Sequence, residues 1–258
     1  HRIQIEGLQR LPAGTLLTCE RLDAKFTPQA WLASPIEARG ILLRLPAYEV
    51  AAFAERLSGS VFQGFLLEQV QITGITRLPP QTTVAVQGIN VALPPLQQFD
   101  PARVKVTVRN GRIFPPLAEP VLFYGDYAGR WMQLKLFSRA VDADALRPVF
   151  PKFGLLRTIT GTLINVEARL EGPWQAPELS GTFTVAHLQR SNLAFDQIPG
   201  FASLRFEHYP GPLKLYGEIQ LRSGTLTSNQ TTVLLDPSSL TFTGAPKRPV
   251  LALRGNAK

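Results

Sequence analysis

Gly161-Thr-Leu-Ile-Asn-Val-Glu-Ala-Arg-Leu-Glu-Gly172, then Pro173-Trp-Gln-Ala-Pro-Glu-Leu-Ser-Gly181, then Thr182-Phe-Thr-Val185 reads as two alternating strands joined by a proline- and glycine-bearing turn. Successive side chains of an extended chain point to opposite sides. Ile164, Val166, Ala168 and Leu170 therefore share one apolar face, and Asn165, Glu167, Arg169 and Glu171 share a wet one. Carried through many strands with no catalytic constellation, the pattern describes a β scaffold whose function is whatever its apolar face covers.

The rest of the chain continues this rhythm. Its 22 prolines and 20 glycines punctuate short alternating runs, as in antiparallel all-β proteins. The clearest run is Leu213, Leu215, Gly217, Ile219 and Leu221, interleaved with Lys214, Tyr216, Glu218, Gln220 and Arg222. Two segments depart from the rhythm and read as short helices. Ala47 to Leu57 follows Pro46, places Val50, Phe53, Ala54 and Leu57 at helical spacing, and ends before Gly59. Asp142 to Phe150 has an N-capping aspartate, with Pro148 limiting its length. The chain then reads as a coarse duplication, with one β unit over residues 1–125 and a second over 126–258.

With 258 residues, 45% of them apolar and 18% charged, the chain is expected to fold. Its formal charge of +8 would suit nucleic acid or anionic headgroups, yet the basic residues are scattered and only Lys247-Arg248 forms a pair. Without a basic cluster interleaved with aromatics, these charges read as solvation of outer strand faces and nucleic acid is not an expected partner. Cys19 stands alone among Leu16, Leu17 and Leu22, so no internal disulfide can form and a buried apolar role is expected. No apolar run approaches the ~18 residues of a membrane-spanning helix.

Catalytic chemistry is equally sparse. His1, His187 and His208 show no ligand spacing, the glycine-bearing segments lack phosphate-loop patterns, and there is no nucleophile elbow. Asp142 and Asp144 suit a helix start better than acid and base roles, and Asn229-Gln-Thr is read as a chance glycosylation match. No enzyme activity, metal or cofactor is expected.

Further patterns in the second half carry a family resemblance. Val141-Asp-Ala-Asp-Ala-Leu-Arg-Pro148, Phe153-Gly-Leu-Leu156, Ile159-Thr-Gly-Thr-Leu163, Leu170-Glu-Gly172 and Pro177-Glu-Leu-Ser-Gly-Thr-Phe183 resemble a repeat unit of the TamB and AsmA-like envelope proteins. Ile219-Gln-Leu-Arg-Ser-Gly-Thr-Leu226, Leu240-Thr-Phe-Thr-Gly244 and Pro249-Val-Leu-Ala-Leu253 resemble the late strands of a TamB-type domain. The resemblance spans about residues 126–258. It implies an elongated antiparallel sheet curled into an open groove, apolar inside and polar outside, in a bacterial protein between the inner and outer membranes. It further implies phospholipid transport or assistance to outer-membrane protein assembly, with acyl chains and an assembly protein of the Omp85 type as partners. The chain, opening on His1, would then be an internal piece of a periplasmic protein anchored to the inner membrane by another segment.

In the simplest meander, Ile164, Val166, Ala168, Leu170, Phe183, Val185, Leu204, Phe206, Leu213, Leu215, Ile219 and Leu221 fall on one side of the sheet. Covered by a second sheet, such a face is an ordinary sandwich core. Left uncovered, it is a lipid-binding groove. The residues alone favour the core and the resemblance favours the groove. Two further expectations stand beside lipid carriage: capture of client strands at the sheet edges, and a plain structural β domain.

Overall fold

The computed structural model describes residues 3–6, 14–24, 32–46, 49–75, 81–94, 103–114, 119–143, 160–173, 175–207, 214–228, 231–244 and 249–257. The chain is all-β, and its antiparallel sheet is not closed. Contacts divide it into two units, His1–Pro116 with Leu122–Arg130, and Leu117–Val121 with Trp131–Lys258.

In the first unit, β1 (Ile3–Glu6), β2 (Leu16–Ala24), β3 (Ile36–Leu45), β4 (Val50–Ser60), β5 (Gly64–Thr73), β6 (Thr83–Ala92) and β7 (Lys105–Phe114) form an antiparallel meander, each pairing with the next. Strand β8 (Val121–Ala128) lies beside β7, where Thr107 Oγ1 donates to Asp126 Oδ1 at 2.5 Å and Phe123 sits over Gly111.

A single line of irregularities crosses this meander. Pairing is regular on both sides of Glu20, Gly40, Glu55, Gln69, Gln87 and Asn110, which occupy one row across β2 to β7 and are themselves skipped. Gly40, Gln69 and Asn110, on alternate strands, have φ of 59°, 50° and 49°. The consequence is a slip in the pleat. Residues three apart in a regular strand point to opposite faces. Here Leu67 packs with the cluster of Val70, and Ile89 and Val108 pack with that of Val86. At the line, two successive residues face outward and the inward sequence resumes at the third. Irregularities of this kind bend strands and increase their twist. Val86 is only 3% exposed because neighbours from both sides of the line close over it.

In the segment expected as a helix from Ala47 to Leu57, the described part is instead a turn at Glu49 followed by strand β4 from Val50 onward. Val50, Ala52 and Ala54 alternate normally, then the slip at Glu55 turns Leu57 inward beside Ala54. A slipped strand thus produces the same three-residue apolar spacing as a helix turn. Phe53, expected beside Ala54 on a helix face, is 39% exposed while Ala54 is 4% exposed.

The second unit contains β9 (Trp131–Asp142), β10 (Thr160–Pro173), β11 (Glu178–Arg190) and β12 (Leu193–Glu207), paired in sequence. After β12 the strands are interrupted but stay in line. β13 (Lys214–Leu221) and β14 (Gly224–Ser228) pair with β12 in one continuous register, Leu221 opposite Gly200 and Thr225 opposite Asp196. β15 (Thr231–Leu235) and β16 (Ser238–Gly244) together face them, followed by β17 (Val250–Ala252) and β18 (Gly255–Ala257). Pro199 and Pro237, which have no N–H to give a ladder, stand at the interruptions. Arg222 N donates to Pro199 O at 2.8 Å and Asp236 N to Arg254 O at 3.0 Å, so paired backbone carries across.

These breaks continue a second slip line. Val185 and Leu188 share one cluster, as do Phe195 and Ile198, each pair three residues apart. Asn165 and Gln197 have φ of 52° and are skipped in the β9–β10 and β11–β12 ladders. Asp142 closes β9, and its carboxylate accepts from Thr162 Oγ1 at 2.8 Å. The remainder of the expected second helix, 144–150, lies outside the described residues.

Gly224 is required by this line. A Cβ there would come 2.3 Å from Cγ1 of Ile198, which is fully buried. Gly224→Val is expected to destabilise the chain by about 1–3 kcal/mol through overpacking, while Lys214→Ala, at an exposed position, changes stability by about 0.5 kcal/mol or less. Chemical denaturation followed by circular dichroism measures both.

Candidate functional site

Where would a ligand meet the apolar face of the second unit? Two clusters answer for much of it. Ala202, Leu204, Leu215 and Phe242 are buried together, with Leu179, Phe183, Phe206, Ile219 and Leu240 packed against them. Val185, Ile198 and Leu235 form the other, bounded by Leu163, Phe183, Leu188, Phe195, Leu221 and Leu226. Of the residues expected to line a groove, Phe183, Val185, Leu204, Phe206, Leu215, Ile219 and Leu221 thus join these clusters. Leu215 is 3% exposed and fills protein interior.

On β9 and β10 the same face is less covered. Val166 stands opposite Ser138, Ala168 opposite Leu136, and Leu170 opposite Leu134 and Leu179. Leu134, Leu136, Val166, Ala168, Leu170 and Leu179 are all half-buried. Their cross-strand contacts form a continuous apolar strip running across the strands. Ile164 is not part of it: Leu163 joins the buried cluster, and the slip at Asn165 puts Ile164 opposite Ala140 and Thr184. Leu213 lies outside the described residues. Leu134 and Leu136 were not singled out from sequence, although Met132, Leu134 and Leu136 alternate with Gln133 and Lys135.

The outward face is polar. Arg169 pairs with Glu171 at 3.0 Å and Arg205 with Glu207 at 3.2 Å, and Arg205 also lies 5.2 Å from the ring centre of Tyr216. His187 stands within β11 with Nδ1 2.7 Å from Asp196 Oδ1. Exposed pairs of this kind contribute little to stability, about 0–1 kcal/mol each. Among the described residues no group of three His, Cys, Asp or Glu side chains could hold a metal ion, and no helix is long and apolar enough to cross a membrane.

In the first unit a cavity of about 170 Å³ opens between β2, β3 and β4, lined by Leu17, Thr18, Cys19, Leu22, Ala38, Ile41 and Leu57. Cys19 is half-buried rather than a core residue, and its Sγ donates to Arg21 O at 2.9 Å. Sequence reasoning did not place a cavity here, because it arises where the slip line meets the small side chains of Cys19 and Ala38.

Compared with protein-family models, curated proteins and solved structures, the chain gives no match.

Two measurements probe this geometry. Leu215→Ala is expected to cost about 2–5 kcal/mol by leaving a cavity in packed interior, and Leu170→Ala distinctly less because that side chain is only partly buried; paired urea titrations read the difference. Glu218 on the outward face accepts from Gln220 Nε2 at 3.1 Å, and this bond, then one from Ser239, holds its carboxyl below the usual glutamate range. Folding therefore favours the ionised form. The contribution is present above the ordinary glutamate midpoint and disappears as pH falls through the lowered one. A carboxyl-carbon NMR titration should show this lowered midpoint, and Gln220→Ala should raise it.

Proposed function

We propose that this chain is a non-enzymatic lipid-binding segment of a bacterial envelope protein, shielding phospholipid acyl chains between the inner and outer membranes. The observation that supports this best is the strip of Leu134, Leu136, Val166, Ala168, Leu170 and Leu179, which the described residues leave partly exposed. A contiguous apolar patch left accessible calls for an occupant. Acyl chains suit it because methylenes need no directed hydrogen bonds and each gains roughly 0.8 kcal/mol on leaving water. The sequence resemblance to TamB and AsmA-like proteins points the same way. On this reading the buried half of the face around Leu204 and Leu215 is a structural backing, and the lipid track lies over β9 and β10. The protein works in the periplasm, with no cofactor.

A second reading, assistance to outer-membrane protein assembly, is favoured by β17, where Val250 and Leu251 are 60% and 57% exposed on a strand paired to β16. There the chain would present strands to clients or to an Omp85-type partner.

A photo-crosslinking side chain placed in turn at Leu170, Leu136 and Val250, introduced into protein made in a Gram-negative bacterium, separates the two. Lipid carriage gives phospholipid adducts by mass spectrometry from Leu170 and Leu136. Strand capture gives protein adducts, concentrated at Val250. Lipid-free protein with no lipid adduct from either β9 or β10 would overturn the principal reading.

A further inference from the structure

The slip line also decides what the outward face of the first unit presents. In a regular strand Arg109 and Arg112, three residues apart, would point to opposite sides. On β7, however, Val108 and Ile113 pack inward and Phe123 sits over Gly111. Arg109, Asn110 and Arg112 therefore all point outward, and all three are exposed. On β6, Val84, Val86 and Ile89 pack inward and leave Ala85, Gln87 and Gly88 outward. The ladder sets Gly88 opposite Arg109 and Ala85 opposite Arg112. With neighbours this small, both guanidinium groups have room over β6. Between them Asn110 Nδ2 donates to Gln87 Oε1 at 2.6 Å, and the N–H groups of Gln87 have no acceptor among the described residues. Gln69 and Gln71 on β5, both exposed, border the same area.

Charge is distributed unevenly along this face. On β2 to β4 arginines stand among acids: Arg21 lies 2.7 Å from Asp23, and Arg56 lies 3.0 Å from Glu37 and 3.7 Å from Glu68 on β5. Strands β6 and β7 carry Lys105, Arg109 and Arg112 and no carboxylate. Asp126 on β8 is engaged by Lys105 and Thr107, and Glu68, opposite Gly88, is turned to Arg56. Among the described residues Arg109 and Arg112 thus have no carboxylate partner. Like charges held together on one face of a sheet repel, and an oxyanion between them relieves that repulsion. The guanidinium fork matches two oxygens of a carboxylate or a phosphate. The amides beside it donate and accept, as hydroxyl groups require. Between the arginines and β5 no aromatic side chain stands on which a nucleic acid base would stack.

We propose that Arg109 and Arg112 hold the oxyanion of an acidic glycan, a uronate carboxylate or a sugar phosphate, while Gln87, Asn110, Gln69 and Gln71 bond the hydroxyls of the sugars laid over β6. The site lies on the polar face of the first unit and does not rest on the apolar strip of the second.

The experiment titrates the full chain with trigalacturonate, trehalose phosphate, uncharged trehalose and a thymidine oligonucleotide, reading the side-chain amide signals of Gln87 and Asn110 by NMR and affinity by calorimetry. At least one of the two acidic sugars should shift both amide signals, and trehalose should shift neither. The tighter of the two acidic sugars identifies the oxyanion as carboxylate or phosphate. Arg109→Gln and Arg112→Gln should each weaken that binding about tenfold, the scale of one lost charge-assisted hydrogen bond, with the circular dichroism spectrum intact. Arg39→Gln, at an equally exposed position on β3, should leave it unchanged. Failure of both acidic sugars to bind overturns the site. Equal weakening by Arg39→Gln overturns it too, since attraction to the positive charge of the whole chain would then suffice. Tighter binding of the oligonucleotide, lost in the same two variants, would reassign the patch to nucleic acid. Lipid adducts at Leu170 with no sugar binding would remove this site and leave the reading of the second unit standing; sugar binding with no adduct at Leu170 would do the opposite.

Discussion

A strand can change which face it presents only by spending an extra residue, and in this protein neighbouring strands do so in the same row. If one strand slipped alone, its ladder with both neighbours would lose register and its apolar residues beyond that point would face water. Because Glu20, Gly40, Glu55, Gln69, Gln87 and Asn110 slip together, every pairing resumes on the far side with its original partners. The inner face thus stays apolar across the break, and the sheet acquires a line along which it can bend. Val84, Val86 and Val70, 3–6% exposed, are buried in one cluster against which residues from both sides of that line pack.

The two units solve the same problem with different chemistry. In the first, alternate strands adopt positive φ at Gly40, Gln69 and Asn110, and the outward pair of rows is occupied by polar residues, including Arg56 paired with Glu37 at 3.0 Å and Glu68 at 3.7 Å. In the second, Asn165 and Gln197 do so on β10 and β12, and beyond β12 the strands are broken outright near Pro199 and Pro237. Prolines are tolerated there because the ladder is already interrupted, so the missing N–H leaves no acceptor stranded.

Period-two alternation made the all-β class and most strand positions legible, since the pattern of Lys214 to Leu221 has no other economical reading. It misled wherever the slip falls. Val50, Phe53, Ala54 and Leu57 look helical because a slipped strand inserts a three-residue step, and no residue type announces that step. Asn and Gly at positive φ are weak hints, but Gln69 and Gln197 carry no such mark. The same blindness affected the candidate site. Ile164 was grouped with Val166 by simple alternation, whereas Asn165 between them reverses the phase. Nor could alternation separate Leu215, which is packed interior, from Leu170, which is partly exposed: both sit at inward positions, and only the side chains packed around them differ.

That last distinction bears on how selective such a surface can be. A lining of Leu, Val and Ala side chains discriminates by length and width alone, because one methylene more or less changes transfer free energy by roughly 0.8 kcal/mol wherever it is buried. No residue of the strip on β9 or β10 carries a charge, so on the proposed reading headgroup identity would have to be read elsewhere or not at all. A half-buried strip also holds a chain less firmly than a closed pocket, since part of each methylene remains in water. For a carrier that must release what it binds, weak and uniform contact along a line is the more workable arrangement, and it is the arrangement that aligned slips and small residues produce without any one side chain acting as a key.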